Sequence, residues 1–196
     1  MTDVPVSVIS LSSCGPGMLM SAEDMAHVLD VLADSLLDRH GRCREFALIG
    51  IQRRGVSIAG ELCDRMSHRL GESVLVGSLD ITLYRDDWTT KGAKPSVGET
   101  RIRFDVEGKT LVLVDDVLYT GRTVRAALEA LADFGRPSKV ELLVLVDRGH
   151  RELPIHADYV GIHCPTDKGD RVDVLVRNID GEKGVRLVRG CAHSSP

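Results

Sequence analysis

One stretch of the chain decides the fold: LVLVDDVLYTGRT, residues 111–123. It begins with a run of branched apolar residues, which is typical of a buried strand, and leads directly into two carboxylates, Asp115 and Asp116. A turn that contains Thr120 and Gly121 then opens an amphipathic helix. The pattern predicts a strand, a polar turn and a helix, with ligand-binding groups at the carboxyl end of the strand.

The groups in this turn suit a phosphorylated ligand. The N-terminus of a helix presents free backbone N–H groups and the positive end of the helix dipole. Gly121 lets the backbone approach an anion closely, and the hydroxyls of Thr120 and Thr123 add donors. Asp115 and Asp116 are costly at a strand end unless they bind metal, hydroxyls or cations. Ribose hydroxyls and Mg²⁺ would satisfy them.

The rest of the chain alternates strands and helices. Ser21 and Asp24 form a near variant of a capping box, and apolar residues then recur at helical spacing. Alternation of this kind predicts an α/β fold with a mostly parallel sheet that is covered on both faces. The predicted helices span residues 21–39, 56–70 and 123–134, and the predicted strands span 46–51, 74–80, 110–114, 140–146, 159–162 and 172–176.

The length of 196 residues fits one domain. We interpret residues 1–20 as a loose N-terminal extension, 21–185 as the domain and 186–196 as a C-terminal tail. Residues 84–108 are polar, which is typical of a mobile lid or a hairpin arm over an active site.

Composition limits the function classes. The formal charge of −4 and the 4% of aromatic residues argue against a general nucleic-acid binder. Five cysteines without C-x-x-C spacing indicate an unpaired set rather than a disulfide framework or a zinc site. No apolar run approaches membrane-spanning length, so we expect a cytoplasmic protein without a membrane partner.

The constellation at residues 111–123 resembles the fingerprint that type I phosphoribosyltransferases use to bind phosphoribosyl pyrophosphate (PRPP). Over about residues 20–175 the chain resembles the PyrR family of pyrimidine-operon attenuators and uracil phosphoribosyltransferases. The resemblance rests on DITLYRDD (80–87), on residues 114–125, and on LVDRGHRELPI (145–155). It implies the type I phosphoribosyltransferase fold: a mostly parallel twisted sheet flanked by helices, with a flexible loop or hairpin arm and a small hood over the base site.

The resemblance also implies roles for individual residues. Asp115 and Asp116 would bind the ribose hydroxyls and Mg²⁺, and Arg54 and Gly55 would bind the pyrophosphate. Tyr84 and Arg85 would act at the root of the closing loop; the alternative for Tyr84 is that it merely packs in a hairpin. The remaining PRPP-binding residues would be Val117, Leu118, Tyr119, Thr120, Gly121, Arg122 and Thr123.

For the base, the resemblance implies Asp147, Arg148, Tyr159 and Val160. Tyr119 stands where purine-salvage relatives carry an Asp, which favours a pyrimidine. The predicted reaction is uracil and PRPP to UMP and pyrophosphate, with Mg²⁺ as the cofactor. A phosphoribosyltransferase that uses another base is an open alternative.

PyrR attenuators also bind the leader RNA of the pyr operon, and the resemblance implies that His150 and Arg151 would belong to that surface. Asp30, Val31 and His156 replace polar or basic residues of the relatives, which weakens phosphate contacts. The alternative function is an RNA-binding attenuator with weak catalysis and UMP as its effector. Relatives form dimers or tetramers, so a homodimer or homotetramer is expected.

Overall fold

A computed structural model describes residues 6–10, 17–41, 46–85 and 98–190 of the chain. Within these residues the helices are α1 (Ala22–His40), α2 (Arg54–Leu70), α3 (Arg122–Ala132) and α4 (Arg177–Asp180), with a 3₁₀ turn at Thr82–Tyr84. The strands are β1 (Val6–Ser10), β2 (Gly17–Met20), β3 (Phe46–Ile51), β4 (Leu75–Leu79), β5 (Thr110–Leu118), β6 (Lys139–Asp147), β7 (Tyr159–His163), β8 (Arg171–Leu175) and β9 (Gly184–Val188).

The main sheet has six strands in the described part of the chain, in the order β1-β7-β6-β5-β3-β4, and every neighbouring pair is parallel. Its central strands are apolar because both faces are covered. Val112 and Val114 of β5 pack in a core with α1 and α2, whereas Leu111 and Leu113 face a second core with α3. The predicted α/β fold with a mostly parallel sheet is confirmed.

The helices begin close to where the sequence predicts. The Ser21 hydroxyl accepts a hydrogen bond from the Asp24 N–H at 3.1 Å, and the Asp24 carboxylate accepts one from the Ser21 N–H at 2.9 Å. This confirms the capping box. α2 begins at Arg54, two residues before the predicted start at 56.

A second sheet, β2-β9-β8, is antiparallel and forms the small hood that the sequence resemblance implies. The interpretation of residues 1–20 as a loose extension is corrected by two strand pairings. β2 pairs with β9 in this second sheet, and β1 pairs with β7 in the main sheet. β9 also extends to Val188, inside the predicted tail. Short strands of this kind are stabilised by partners far along the chain, which local sequence patterns do not reveal.

Two further sequence expectations concern the chain's environment. Cys164 is fully buried and disulfide-bonded, so the interpretation of an unpaired cysteine set is wrong. Among the described residues, no helix combines the length and apolar character needed to cross a membrane. Of the predicted arm at 84–108, residues 86–97 lie outside the described ranges, and Arg101 forms an antiparallel bridge with Ser78 of β4.

Candidate active site

A cleft of about 330 Å³ opens at the carboxyl end of β5. It is lined by Arg85 and by residues 117–124, which run from the end of β5 into the first turn of α3. The edge formed by the carboxyl ends of parallel strands is where open α/β sheets bind ligands. The structure therefore brings the predicted residues Val117 to Thr123 together with Arg85 in one cavity.

Asp115 and Asp116 precede this cleft on β5. Asp115 is 6% exposed, and its Oδ1 accepts a hydrogen bond from the Asp116 N–H at 2.9 Å. Burial, followed by the adjacent Asp116 carboxyl, raises the pKa of Asp115 well above its usual value, while the charge of Arg85 opposes the shift. A cation placed beside this pair would restore the charged form of Asp115. The pair is therefore suited to bind a cationic ligand or hydroxyl donors.

Donors from the segment after β6 bind carbonyl groups of the β5–α3 loop, residues 119–121, and of Leu118 before it. The Leu118 carbonyl accepts from the Arg148 N–H at 3.1 Å, and the Thr120 carbonyl accepts from the N–H groups of Glu152 and Leu153 at 3.0 and 3.3 Å. Gly121 has a φ of 92° at the start of α3, a conformation that favours glycine. The opposite face of these peptides carries their N–H groups, so the loop and the helix N-terminus together can bind an anion.

The N-terminus of α2 lies directly against the end of β5. A Cβ at Gly55 would stand 2.3 Å from the Val114 carbonyl oxygen and 3.2 Å from the Asp115 Cα, so only glycine fits there. The neighbouring Arg54 donates to both carboxylate oxygens of Asp180, at 3.2 and 2.7 Å. This bidentate pair holds the guanidinium group of Arg54 near the carboxylates of β5.

The structure separates the two residues predicted at the root of the closing loop. Arg85 lines the cleft and acts electrostatically on Asp115. The Tyr84 hydroxyl instead donates to Asp133, at the C-terminal end of α3. This arrangement matches the alternative that Tyr84 has a packing role, and it does not bring the Tyr84 hydroxyl to the cleft.

Asp147 and Arg148 lie at the carboxyl end of β6, beside the β5–α3 loop. The Arg148 guanidinium stacks over the Tyr119 ring at 4.2 Å and donates to the Thr166 hydroxyl and the Asp167 carbonyl, both at 3.0 Å. Arg148 thus connects the loop to the segment that leads into the hood. Both residues are on the side of the sheet where the sequence predicts the base.

Tyr159 and Val160 do not reach this edge, which corrects their assignment to the base site. Tyr159 is fully buried at the amino end of β7, where its hydroxyl contacts Glu141 at 2.9 Å and His40 at 3.1 Å. Val160 is buried in the core that packs against α3. The carboxyl end of β7 is His163, whose Nδ1 lies 3.8 Å from the Asp147 carboxylate. The sequence analysis missed His163, although the direction of a parallel strand could have indicated it.

The two residues predicted to bind RNA are engaged within the chain. His150 Nε2 lies 2.5 Å from the Thr166 carbonyl oxygen, and its ring contacts that of Tyr119 edge-on. Arg151 uses its Nε, Nη1 and Nη2 atoms in hydrogen bonds to backbone carbonyls and to Asp147. Neither side chain is oriented as a free surface donor.

The carboxylates also fit Mg²⁺. Within the described ranges no cluster of three or more His, Cys, Asp and Glu side chains could hold a metal by itself. Mg²⁺ is commonly bound by one or two carboxylates together with phosphate oxygens of the substrate, so a complete protein cage is not needed. Asp115 and Asp116 provide such a pair beside the β5–α3 loop.

Comparisons with known proteins agree with this geometry. The family described as phosphoribosyl transferase domain matches residues 21–176. A protein named bifunctional protein PyrR from Thermus thermophilus is 52% identical over 169 residues, which cover 86% of this chain and 93% of that protein. The protein of the same name from Elusimicrobium minutum is 48% identical over 171 residues, 87% of this chain and 96% of that one.

Solved structures support the fold. A hypoxanthine phosphoribosyltransferase from Staphylococcus aureus aligns with a TM-score of 0.63 at 19% identity, over 89% of this chain and 92% of that one. The hypoxanthine phosphoribosyltransferase of Trypanosoma cruzi aligns with a TM-score of 0.65 at 18% identity, over 88% and 96% of the two chains. At such identities the likeness shows that the proteins share a fold, and it does not extend to the base that they use.

Proposed function

The chain belongs to the phosphoribosyl transferase family and, within it, to the PyrR proteins; from this we propose that it is a uracil phosphoribosyltransferase. The enzyme would transfer the phosphoribosyl group of PRPP to uracil and release UMP and pyrophosphate. The C1–O bond to pyrophosphate breaks, a bond forms between C1 and N1 of uracil, and the N1 proton is released.

The observation that carries this proposal is the position of the Asp115–Asp116 pair beside the β5–α3 loop. A phosphosugar needs donors for its phosphate and acceptors for its hydroxyls, and residues 115–123, which end in the cleft, offer both within one short segment. The N–H groups of the loop and the hydroxyls of Thr120 and Thr123 would bind the 5-phosphate. Asp115 and Asp116 would accept from the ribose hydroxyls and favour the positive charge that develops on the ribose ring.

Arg54 and Arg85 would bind the departing pyrophosphate. Arg54 is oriented by Asp180 at the N-terminus of α2, and Arg85 lies in the cleft itself. Cations at these positions would stabilise the charge that the leaving group gains in the transition state. No covalent nucleophile is needed, because binding and orientation of the two substrates bring C1 and N1 together.

Mg²⁺ would bind with PRPP, held by Asp115 and Asp116 together with oxygens of the substrate. When bound, it supplies positive charge that neutralises the pyrophosphate. The buried Asp115, whose pKa is raised by its burial and by the adjacent Asp116 carboxyl, is the feature of this chain that suits it.

Uracil would lie near Asp147 and Arg148, with His163 at the end of the adjacent strand. Tyr119 supports a pyrimidine over a purine, because its side chain is occupied by Arg148 and His150 and offers no carboxylate to a purine nitrogen. Tyr159 and Val160 have no place in this proposal, since both are buried away from the cleft.

The alternative of an RNA-binding attenuator with weak catalysis has less support. Regulation through pyr leader RNA would need cations that are free for phosphates, and on the surface of α1 and α2 Arg65 and Arg69 both pair with Asp30, at 3.2 and 3.0 Å. We therefore place catalysis first. Regulation through RNA, with UMP as the effector, is proposed as a second function that needs its own test. We propose that the protein is a homo-oligomer.

The test is UMP formation from uracil, PRPP and Mg²⁺, with hypoxanthine and orotate as parallel substrates. We expect UMP alone, and we expect Asp115→Asn combined with Asp116→Asn to abolish it. Asp38→Asn is the matched control, because Asp38 is an exposed carboxylate on α1 outside the cleft. Product from hypoxanthine or orotate but not from uracil would overturn the assignment of the base.

A further inference from the structure

We infer that Arg151 is a positioning residue for the phosphate of the substrate and that it does not itself contact a polyanion. The inference rests on the proposed function, because it concerns how the β5–α3 loop is held ready for the 5-phosphate. It assigns Arg151 a role different from the RNA contact that the sequence resemblance implies.

The guanidinium group of Arg151 is used completely inside the chain. Its Nη1 donates to the carbonyls of Tyr119 at 2.8 Å and Gly149 at 3.0 Å, with Leu118 at 3.5 Å. Its Nε donates to the Ile155 carbonyl at 3.1 Å. The side chain is 18% exposed, so it is not available as a surface cation.

Asp147 completes this arrangement and balances its charge. Its carboxylate accepts from Nη2 of Arg151 at 2.5 Å and from the Gly149 N–H at 3.0 Å. The pair is i,i+4 in sequence but spans a turn after β6, so it fixes the path of residues 148–151. With its charge neutralised by Asp147, Arg151 acts through geometry rather than through its field.

The carbonyls that Arg151 binds determine where the N–H groups of the loop point. The peptides of this loop are trans, and in a trans peptide the C=O and the following N–H point in opposite directions. Holding the carbonyls of Leu118 and Tyr119 against Arg151 therefore turns the N–H groups of Tyr119 and Thr120 away from it. The carbonyl of Thr120, bound by the N–H groups of Glu152 and Leu153, does the same for the N–H of Gly121.

These three N–H groups would otherwise need to be oriented when the phosphate binds. A loop whose donors are already aligned avoids that cost, and partners that orient such donors are typically worth about 10- to 100-fold in affinity or activity. Arg151 thus orients the N–H groups that bind the phosphate, in the way that an outer hydrogen-bond partner orients the ligand of a metal.

The variants are Arg151→Gln and Arg151→Lys, with Arg186→Gln as the control that removes a cation paired with Glu182 on the hood. We expect the Kd of UMP and the KM of PRPP to rise about 10- to 100-fold in both Arg151 variants. Inhibition by pyrophosphate should stay within about twofold. Lysine keeps the charge but not the planar fork, so it should not rescue. Arg186→Gln should match the wild type in all three measurements.

Two results would overturn the inference. One is recovery of UMP binding in Arg151→Lys, since this would mean that charge alone matters. The other is wild-type UMP binding and kinetics in Arg151→Gln together with loss of binding to a pyr leader stem-loop, which would assign Arg151 to RNA.

A measurement on the wild-type protein covers the case in which the variants do not fold. Amide hydrogen exchange of Tyr119, Thr120 and Gly121 should slow when UMP binds, and unchanged exchange would refute the inference. If the wild-type protein makes no UMP, the proposed function fails separately. Inorganic phosphate then replaces UMP as the probe, with slower exchange at the same three amides as the expected result.

Discussion

Replacing Gly55 with alanine tests the contact between α2 and β5 that forms the floor of the site. The new Cβ would lie 2.3 Å from the Val114 carbonyl oxygen. A carbon and a carbonyl oxygen meet at about 3.3 Å, so the N-terminus of α2 must move by roughly 1 Å. The movement would carry Arg54 and the first N–H groups of α2 away from Asp115.

Both stability and activity should fall. Overpacking of a close contact costs about 1–3 kcal/mol, which exceeds the roughly 1 kcal/mol that alanine gains over glycine inside a helix. A displacement of about 1 Å at a catalytic site can lower the rate about 100-fold. We therefore expect Gly55→Ala to lower kcat/KM for PRPP about 100-fold and the free energy of unfolding by about 1 kcal/mol or more.

The assays are UMP formation and unfolding by urea, with Gly60→Ala as the matched control on the same helix. Among the described residues, no atom outside the backbone of α2 itself and the residues adjacent to Gly60 lies within 4 Å of a Cβ at Gly60, so that substitution should stabilise the protein by about 0.5–1 kcal/mol and leave kcat/KM unchanged. Wild-type stability and activity in Gly55→Ala would refute the close approach of α2 to β5.

Three further predictions address other parts of the structure. Burial would raise the pKa of Glu141, but hydrogen bonds from His40, Lys139 and Tyr159 outweigh it and lower that pKa from 4.5 to about 2. The ionised Glu141 therefore stabilises the folded protein fully above pH 4.5, and this contribution is lost as the pH falls towards 2. Glu141→Gln should flatten the pH dependence of the free energy of unfolding in that range. Tyr84→Phe should change kcat/KM by no more than about twofold, because its hydroxyl is held at the C-terminal end of α3; a loss of 100-fold would restore Tyr84 to catalysis. Asp180→Asn should raise the KM of PRPP and leave that of uracil unchanged, because it weakens the bidentate pair with Arg54, while the asparagine Oδ1 can still accept from the Val176 N–H; equal effects on both KM values would contradict that role.

The sequence predicts those parts of the fold that local patterns determine. The capping box at Ser21, the apolar run of β5 and the turn at Gly121 all lie where the residues indicate, because capping, burial and helix initiation act over a few neighbouring positions. The strands β1, β2 and β9 were missed, since their partners lie far away in the chain.

The candidate site also has residues that a local sequence pattern predicts and residues whose role only the folded chain reveals. Asp115 and the β5–α3 loop could be identified from one contiguous motif, and the place of the loop in the cleft follows from the strand direction. Tyr159 was misassigned because its position along β7, four residues before the carboxyl end, depends on register with β6. Arg151 looks like a surface cation in the sequence, and only the folded chain shows the carbonyls that surround it.

The hood has a consequence for how this chain is made. β2, near the start of the chain, pairs in that sheet only with β9, which ends at Val188, as far as the described residues show. During synthesis the strand at Gly17–Met20 therefore stays without this partner until Gly184–Val188 has left the ribosome. Closing so long a loop is slow, which makes the hood the last part to assemble. A chain cut before Gly184 would keep the cleft's loop but leave β2 unpaired, an exposed strand edge prone to aggregation.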